Sequence, residues 1–328
     1  MPPGYGEGMA VARLALPGAR QRYLPLAATL LGIALYSLMD ALMKRASIVC
    51  GVYPALFGRS LAGTVLLIPA WRVLTGGRLP APGLLGLHLL RGLLATGAAW
   101  TFFYGIVRTP IAQGIAMSFI APLVALALAG LLLGEAIRRQ AILAALVAML
   151  GVLVIAAGRL GAAAPGPEAL SGIVAILVSA LLYAWNLVLQ RQLAQRASPV
   201  EVALSQNIVI AMVLLLGAPV VAQVQVLAGG HPDASAATLL VPARAALSDI
   251  LAAAVVASSS LMLLAWAYAR AEAQALVPME YSAFLWAAVM GWWWFGEMVT
   301  GWTLAGLVLI LAGVWWGTRA SVPSLPQN

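Results

Sequence analysis

Leu131-Leu132-Leu133-Gly134-Glu135 and Trp294-Phe295-Gly296-Glu297 decide how this chain is built. Each closes a long apolar run and leads into another, and the second Gly-Glu lies 162 residues after the first in a chain of 328. At the same offset Met117 matches Met279, Ala121 matches Ala283, Leu123 matches Leu285, Ala125 matches Ala287, Gly151 matches Gly313 and Val152 matches Val314. A single gapless offset through consecutive apolar runs indicates two copies of one unit. The earlier runs need a shorter offset: at 146 residues, Asp40, Lys44 and Arg45 fall on Asn186, Gln190 and Arg191.

Hydrophobic residues make up 63% of the chain and charged residues 9%. A soluble domain is nearer half apolar and a quarter charged. Runs of roughly 20 apolar residues, enough to cross about 30 Å of hydrocarbon, recur along the whole length. The expectation is an all-α polytopic membrane protein, because a lipid-exposed backbone must satisfy its own hydrogen bonds. Spans are expected near 24–43, 53–72, 84–106, 110–133 and 140–158, then 170–190, 199–225, 247–269, 273–295 and 301–318. Residues 1–23 form a cytoplasmic segment, 24–158 the first five-helix unit, 159–169 a Gly/Ala/Pro-rich linker, 170–319 the second unit and 320–328 a cytoplasmic tail. The basic segment before Leu24 is read as the flank of an uncleaved first span, not as a signal peptide. Ser198-Pro199-Val200-Glu201 has the pattern of a helix cap, with proline at the first helical position.

The net charge of +8 carries no run of basic residues interleaved with aromatics, so nucleic acid is not an expected partner. It fits the placement of Lys and Arg on the cytoplasmic side of a membrane. With an inner N-terminus, the inner side holds Arg13, Arg20, Arg22, Arg72, Arg78, Arg138, Arg139, Arg191, Arg196, Arg270 and Arg319. The outer side holds only Lys44, Arg45, Arg108, Arg159 and Arg244. Both termini are therefore expected in the cytoplasm. Five spans per unit is an odd number, so the second unit crosses in the opposite sense. That is the inverted repeat of many secondary transporters, whose site lies between the halves. The single cysteine, Cys50, excludes an internal disulfide and any multi-cysteine metal site. No nucleotide-binding loop is present, and no metal or organic cofactor is expected.

These spans and motifs resemble the drug/metabolite transporter superfamily and its EamA-type members. The resemblance rests on Pro122, Leu131 to Glu135 and Gly151-Val152 in the first unit. In the second it rests on Pro278-Met279-Glu280-Tyr281, Trp294 to Glu297 and Gly313-Val314, with Lys44 near the end of the first span. The resemblance implies ten transmembrane helices as a five-plus-five inverted repeat around a central cavity, walled by spans 1, 3, 4, 6, 8 and 9. It implies alternating access in a bacterial cytoplasmic membrane. It also implies a small metabolite as cargo: an amino acid, nucleoside, vitamin or sugar, often moved outward.

Intramembrane charges are costly and usually face a partner or a wet cavity. Glu280 is the most informative acid: it suits recognition of an amine, proton coupling, or a structural ion pair with Arg91, which lies at similar depth. Arg91 suits a substrate carboxylate. If the two are not paired with each other, they are placed to hold opposite ends of a zwitterion. His88 is three residues before Arg91 on the same face and is a proton shuttle or a structural histidine. Asp40 and Arg59, on adjacent spans, form a salt bridge or a gate. Lys44, the only lysine, takes part in gating or snorkels to the interface. Asn186 and Gln190 share a face and bond a solute or a neighbouring helix. Trp100, Phe103, Tyr104, Trp266, Tyr281 and Trp286 suit a planar substrate. Glu135 and Glu297 read as helix-end structure, not as active carboxylates.

The function expected is a secondary transporter, an exporter in the first reading, of a small polar metabolite, with amino acids or related zwitterions ahead. A carrier of vitamins, nucleosides or cationic metabolites is the runner-up. An intramembrane enzyme or lipid-handling protein is the reading from another class, and no nucleophile–base or metal constellation favours it. The chain is expected to act as a monomer or homodimer in the lipid bilayer, with proton coupling open.

Overall fold

A computed structural model of the chain describes residues 19–133, 139–157, 167–227, 235–296 and 301–320. Glu135, Glu297 and most of the linker and of both expected tails lie outside the described residues. Within the described residues the fold is helical, without strands. The first half contains α1 (Ala19–Cys50), α2 (Val52–Thr75), α3 (Pro82–Arg108), α4 (Ile111–Ser118), α5 (Ile120–Leu133) and α6 (Arg139–Ala157). The second contains α7 (Pro167–Ala194), α8 (Pro199–Leu227), the short α9 (Ala236–Leu240), α10 (Leu247–Tyr268), α11 (Ala273–Glu280), α12 (Ala283–Phe295) and α13 (Gly301–Ala320).

Among the described residues, six segments are long and apolar enough to cross a membrane: Tyr23–Cys50, Val52–Thr75, Pro82–Arg108, Leu170–Ala194, Pro199–Leu227 and Ala236–Tyr268. Local chemistry sets several boundaries. Gly51, at φ 86°, turns α1 directly into α2, and proline opens α3. The Ser198 hydroxyl accepts from the Glu201 amide at 3.3 Å, as the cap pattern predicts. Gly296, at φ 64°, ends α12 in the left-handed region that favours glycine. The glycine of the second Gly-Glu is thus a helix stop.

Two expected spans are corrected. The runs at 110–133 and 273–295 are not continuous helices: α4 stops at Ser118 and α5 restarts at Ile120, while α11 stops at Glu280 and α12 restarts at Ala283. Proline at 122 offers no N–H to the carbonyl four residues earlier, at Ser118, so an unbroken helix would lose that bond. The two interruptions keep the 162-residue offset: α4 and α11 start and end in register, and α5 and α12 end in register.

The main helix contacts join the two halves. They are α1 with α10, α3 with α7, α2 with α8 and α6 with α13. Exchanging the halves in chain order maps this set onto itself. Without a hydrophobic drive between helices in lipid, such contacts depend on close packing at small residues. A Cβ on Gly105 would sit 2.4 Å from the Ile176 side chain, and one on Gly151 would sit 2.5 Å from the Gly306 carbonyl.

Candidate substrate-binding site

Beside the two helix interruptions, the fold leaves a cavity with about 1090 Å³ of empty space, counting the part open to solvent. Its polar lining comes from Tyr36, Ser37 and Asp40 on α1, Arg59 on α2, Ser118 on α4 and Ser179, Tyr183, Asn186 and Gln190 on α7. Gln206 on α8 and Glu280 on α11 complete it. The rest is apolar, including Ile33, Phe102, Phe103, Phe119 and Leu264. A mostly apolar concavity with a few fixed polar groups is the usual form of a small-molecule site.

Glu280 occupies the last residue of α11, at the interruption, and is 6% exposed. Its two oxygens accept from two tyrosines: Oε1 from the Tyr268 hydroxyl at 3.2 Å and Oε2 from the Tyr183 hydroxyl at 3.4 Å. Arg91 does not pair with it. The Arg91 guanidinium, 1% exposed, donates to the Gln190 Oε1 at 2.9 Å and to the Val202 carbonyl at 3.2 Å. The Arg91 carbonyl accepts from the Asn186 side-chain amide at 3.1 Å. Arg91 thus stands behind the wall, and Asn186 and Gln190 present their side chains between it and the cavity. His88 meets Glu201 across α3 and α8, with Nε2 and Oε1 3.1 Å apart. His88 does not line the cavity.

The expected ion pair between Asp40 and Arg59 does not form, although both line the cavity. Asp40 is 6% exposed and its Oδ1 has no hydrogen-bond partner. Arg59 is 4% exposed, its Nε has none, and its other contacts are the Met39 sulfur at 4.0 Å and the Ser60 hydroxyl at 3.4 Å. Lys44 lies at the far end of α1. Its ammonium donates to the Thr109 carbonyl at 3.0 Å and sits 4.8 Å from the centre of the Phe295 ring.

Of the aromatics expected to face a planar substrate, Phe103 lines the cavity and the others lie elsewhere. Trp100 meets Tyr53 edge-on at 5.9 Å, Tyr104 carries Arg108 over its ring at 3.6 Å, and Trp266 carries Arg270 at 4.1 Å. Trp286 packs into an apolar cluster. Tyr281 is fully buried, with its ring 5.1 Å from that of Phe119. The aromatic rings that line the cavity belong to Tyr36, Phe102, Phe103, Phe119 and Tyr183. Tyr36 is legible afterwards from its i, i+4 spacing to Asp40, which puts both on one helical face. Nothing in the sequence around Tyr268 or Gln206 singles them out.

Residues 24–157 and again 170–318 match the EamA-like transporter family. The chain belongs to that family. It is also similar to the pseudopaline exporter CntI, in two strains of Pseudomonas aeruginosa, at 32% identity over 120 residues. That stretch is 37% of this chain and 42% of the exporter, so it spans less than half of either protein. A solved crystal structure superimposes with a TM-score of 0.67 at 18% identity, covering 92% of this chain and 99% of that one. The likeness to it is one of fold. Together the family and the apolar helices make this EamA-family chain a multi-pass membrane protein.

Proposed function

We propose that the chain is a secondary exporter of a small polar metabolite, amino acids or related zwitterions first. In this reading ten membrane crossings form two five-crossing units of opposite sense, at 24–158 and 170–319, with both termini in the cytoplasm. The interrupted pairs α4–α5 and α11–α12 each make one crossing. The cavity between the halves opens to one side and then the other. The observation that carries this reading is the cavity itself: it holds acidic and basic side chains and is walled by helices from both halves. The exchange symmetry of the helix contacts supports it, since a duplicated unit that can swap roles is how such proteins alternate. The partial likeness to an exporter supports the outward direction.

The test is a flux screen of labelled metabolites in proteoliposomes holding the purified full chain, with and without a pH gradient. Counterflow of one zwitterion class is the expected result. Equal flux in empty liposomes for every solute would sink the reading, and dependence on the gradient would assign proton coupling. A carrier of cationic metabolites is favoured by one observation, the carboxylate of Glu280 among Tyr36, Tyr183 and Phe119 in the same cavity. It predicts counterflow of amines in that screen.

A further inference from the structure

We propose that Asp40 and Arg59 form the head-group clamp of this cavity, and that its ligand is a zwitterion of zero net charge with an apolar body. The inference rests on the transporter reading above. Four carboxylate and guanidinium side chains stand in or directly behind the cavity wall: Asp40 and Glu280 against Arg59 and Arg91. Two are already satisfied within the protein. Glu280 takes two tyrosine hydroxyls, and Arg91 has a glutamine oxygen and a backbone carbonyl.

The other two are not. Asp40 leaves an oxygen without a donor. Arg59, whose guanidinium stays charged, has only a thioether and a hydroxyl at long range. Buried charges are normally paired or hydrogen-bonded, because desolvation is costly otherwise. Here an acid and a base line one cavity, both more than nine-tenths buried, and do not pair with each other. A ligand carrying an ammonium and a carboxylate satisfies both at once. The planar fork of Arg59 suits the carboxylate, and Asp40 accepts from the amine. Two acids balanced by two guanidiniums leave no net charge for the ligand to cancel. The apolar remainder of the wall, with Ile33, Phe102 and Leu264, takes the rest of the molecule.

Matched triplets of probes test this: L-leucine, isoamylamine and 4-methylpentanoate, and L-phenylalanine, phenethylamine and 3-phenylpropionate. Binding is measured on the detergent-purified full chain. The expected result is that at least one zwitterion binds, with its amine and its acid each about tenfold weaker or worse. Asp40→Asn should then close the gap between the zwitterion and the acid, and Arg59→Gln the gap between the zwitterion and the amine. A merely structural role would not move those preferences. Size-exclusion profiles check that each variant is folded. If Arg59→Gln does not purify as a single species, Arg59→Lys, which keeps the charge and loses the fork, takes its place and should show intermediate affinity.

Three outcomes overturn the clamp. One is an amine that binds as well as its zwitterion. Another is a pair of variants that lower flux with analogue preference unchanged, which makes Asp40 and Arg59 a gate. The third is a wild-type protein that binds neither zwitterion while the flux screen finds another solute. Absence of flux for every solute would instead overturn the transporter reading beneath it.

Discussion

The two interrupted helix pairs have the same construction and different chemistry. The first breaks between Ser118 and Ile120, with Phe119 at the break. The second breaks after Glu280, with Tyr281 at the equivalent position 162 residues on. The two rings meet, with centroids 5.1 Å apart. Residues 118 and 280 both line the cavity. Yet Ser118 spends its hydroxyl on the Ile115 carbonyl of its own helix, at 2.8 Å, whereas Glu280 brings a carboxylate held by tyrosines from α7 and α10. The halves share a backbone plan that makes a cavity, and only one of them has placed a charge at the break. Duplication supplies the architecture here, and divergence at single positions sets the chemistry of each break.

That contrast is open to a direct attack. Glu280→Gln is expected to lower flux of the transported solute by about tenfold to a hundredfold, the size of losing hydrogen bonds to a buried charge. Ser118→Ala, at the equivalent position, is expected to stay within about twofold of wild type, because its hydroxyl bonds only its own helix. Proteoliposome flux at matched protein density measures both. Equal losses from the two variants would mean that the breaks are functionally equivalent and that the chemical asymmetry is incidental.

The breaks also show where sequence reading stops. The duplication was legible because α4 to α6 and α11 to α13 carry it without a gap, and Gly296 meets a backbone requirement that few other residues meet. The first three helices hid it: α1 runs 32 residues and α7 runs 28, so no single offset spans them. An apolar run looks the same whether it is one helix or two, since Phe119 and Tyr281 break no hydrophobic pattern. Proline at 122 was the available hint. At the candidate site, charge within apolar runs drew attention to Asp40, Arg59, Glu280 and Arg91, of which the first three line the cavity. Which of them pair was not legible, because that depends on how α3, α7 and α8 rotate against one another. Gln190 took Arg91, a choice set by packing.

A second group of predictions concerns the scaffold common to both halves and then the chemistry special to one. Gly151→Ala should destabilise the fold by roughly 1–3 kcal/mol, the cost of overpacking, since the added carbon would meet the Gly306 backbone where α6 packs on α13. Loss of thermal stability in detergent, with transport per folded molecule retained, is the expected reading. A fully stable variant would show that this contact between the halves is looser than its geometry. Tyr183→Phe and Tyr268→Phe each delete one donor to Glu280, about 1 kcal/mol or roughly fivefold in flux. If both variants transport normally, the tyrosines are not what distinguishes the second break from the first.

The smallest effect is expected at the break itself. Tyr281 differs from its counterpart Phe119 by one hydroxyl, and that oxygen is buried without a hydrogen-bond partner. An unsatisfied buried hydroxyl costs stability, so removing it while keeping the ring is neutral or favourable by up to about 1 kcal/mol. Tyr281→Phe would make the two breaks identical at this position. It should leave flux within about twofold and the melting temperature unchanged or slightly raised. A substantial loss of binding would instead mean that the hydroxyl reaches the ligand once the cavity is filled. Tyr281 would then join Glu280 in the recognition chemistry, and the divergence between the halves would extend across both residues of the break.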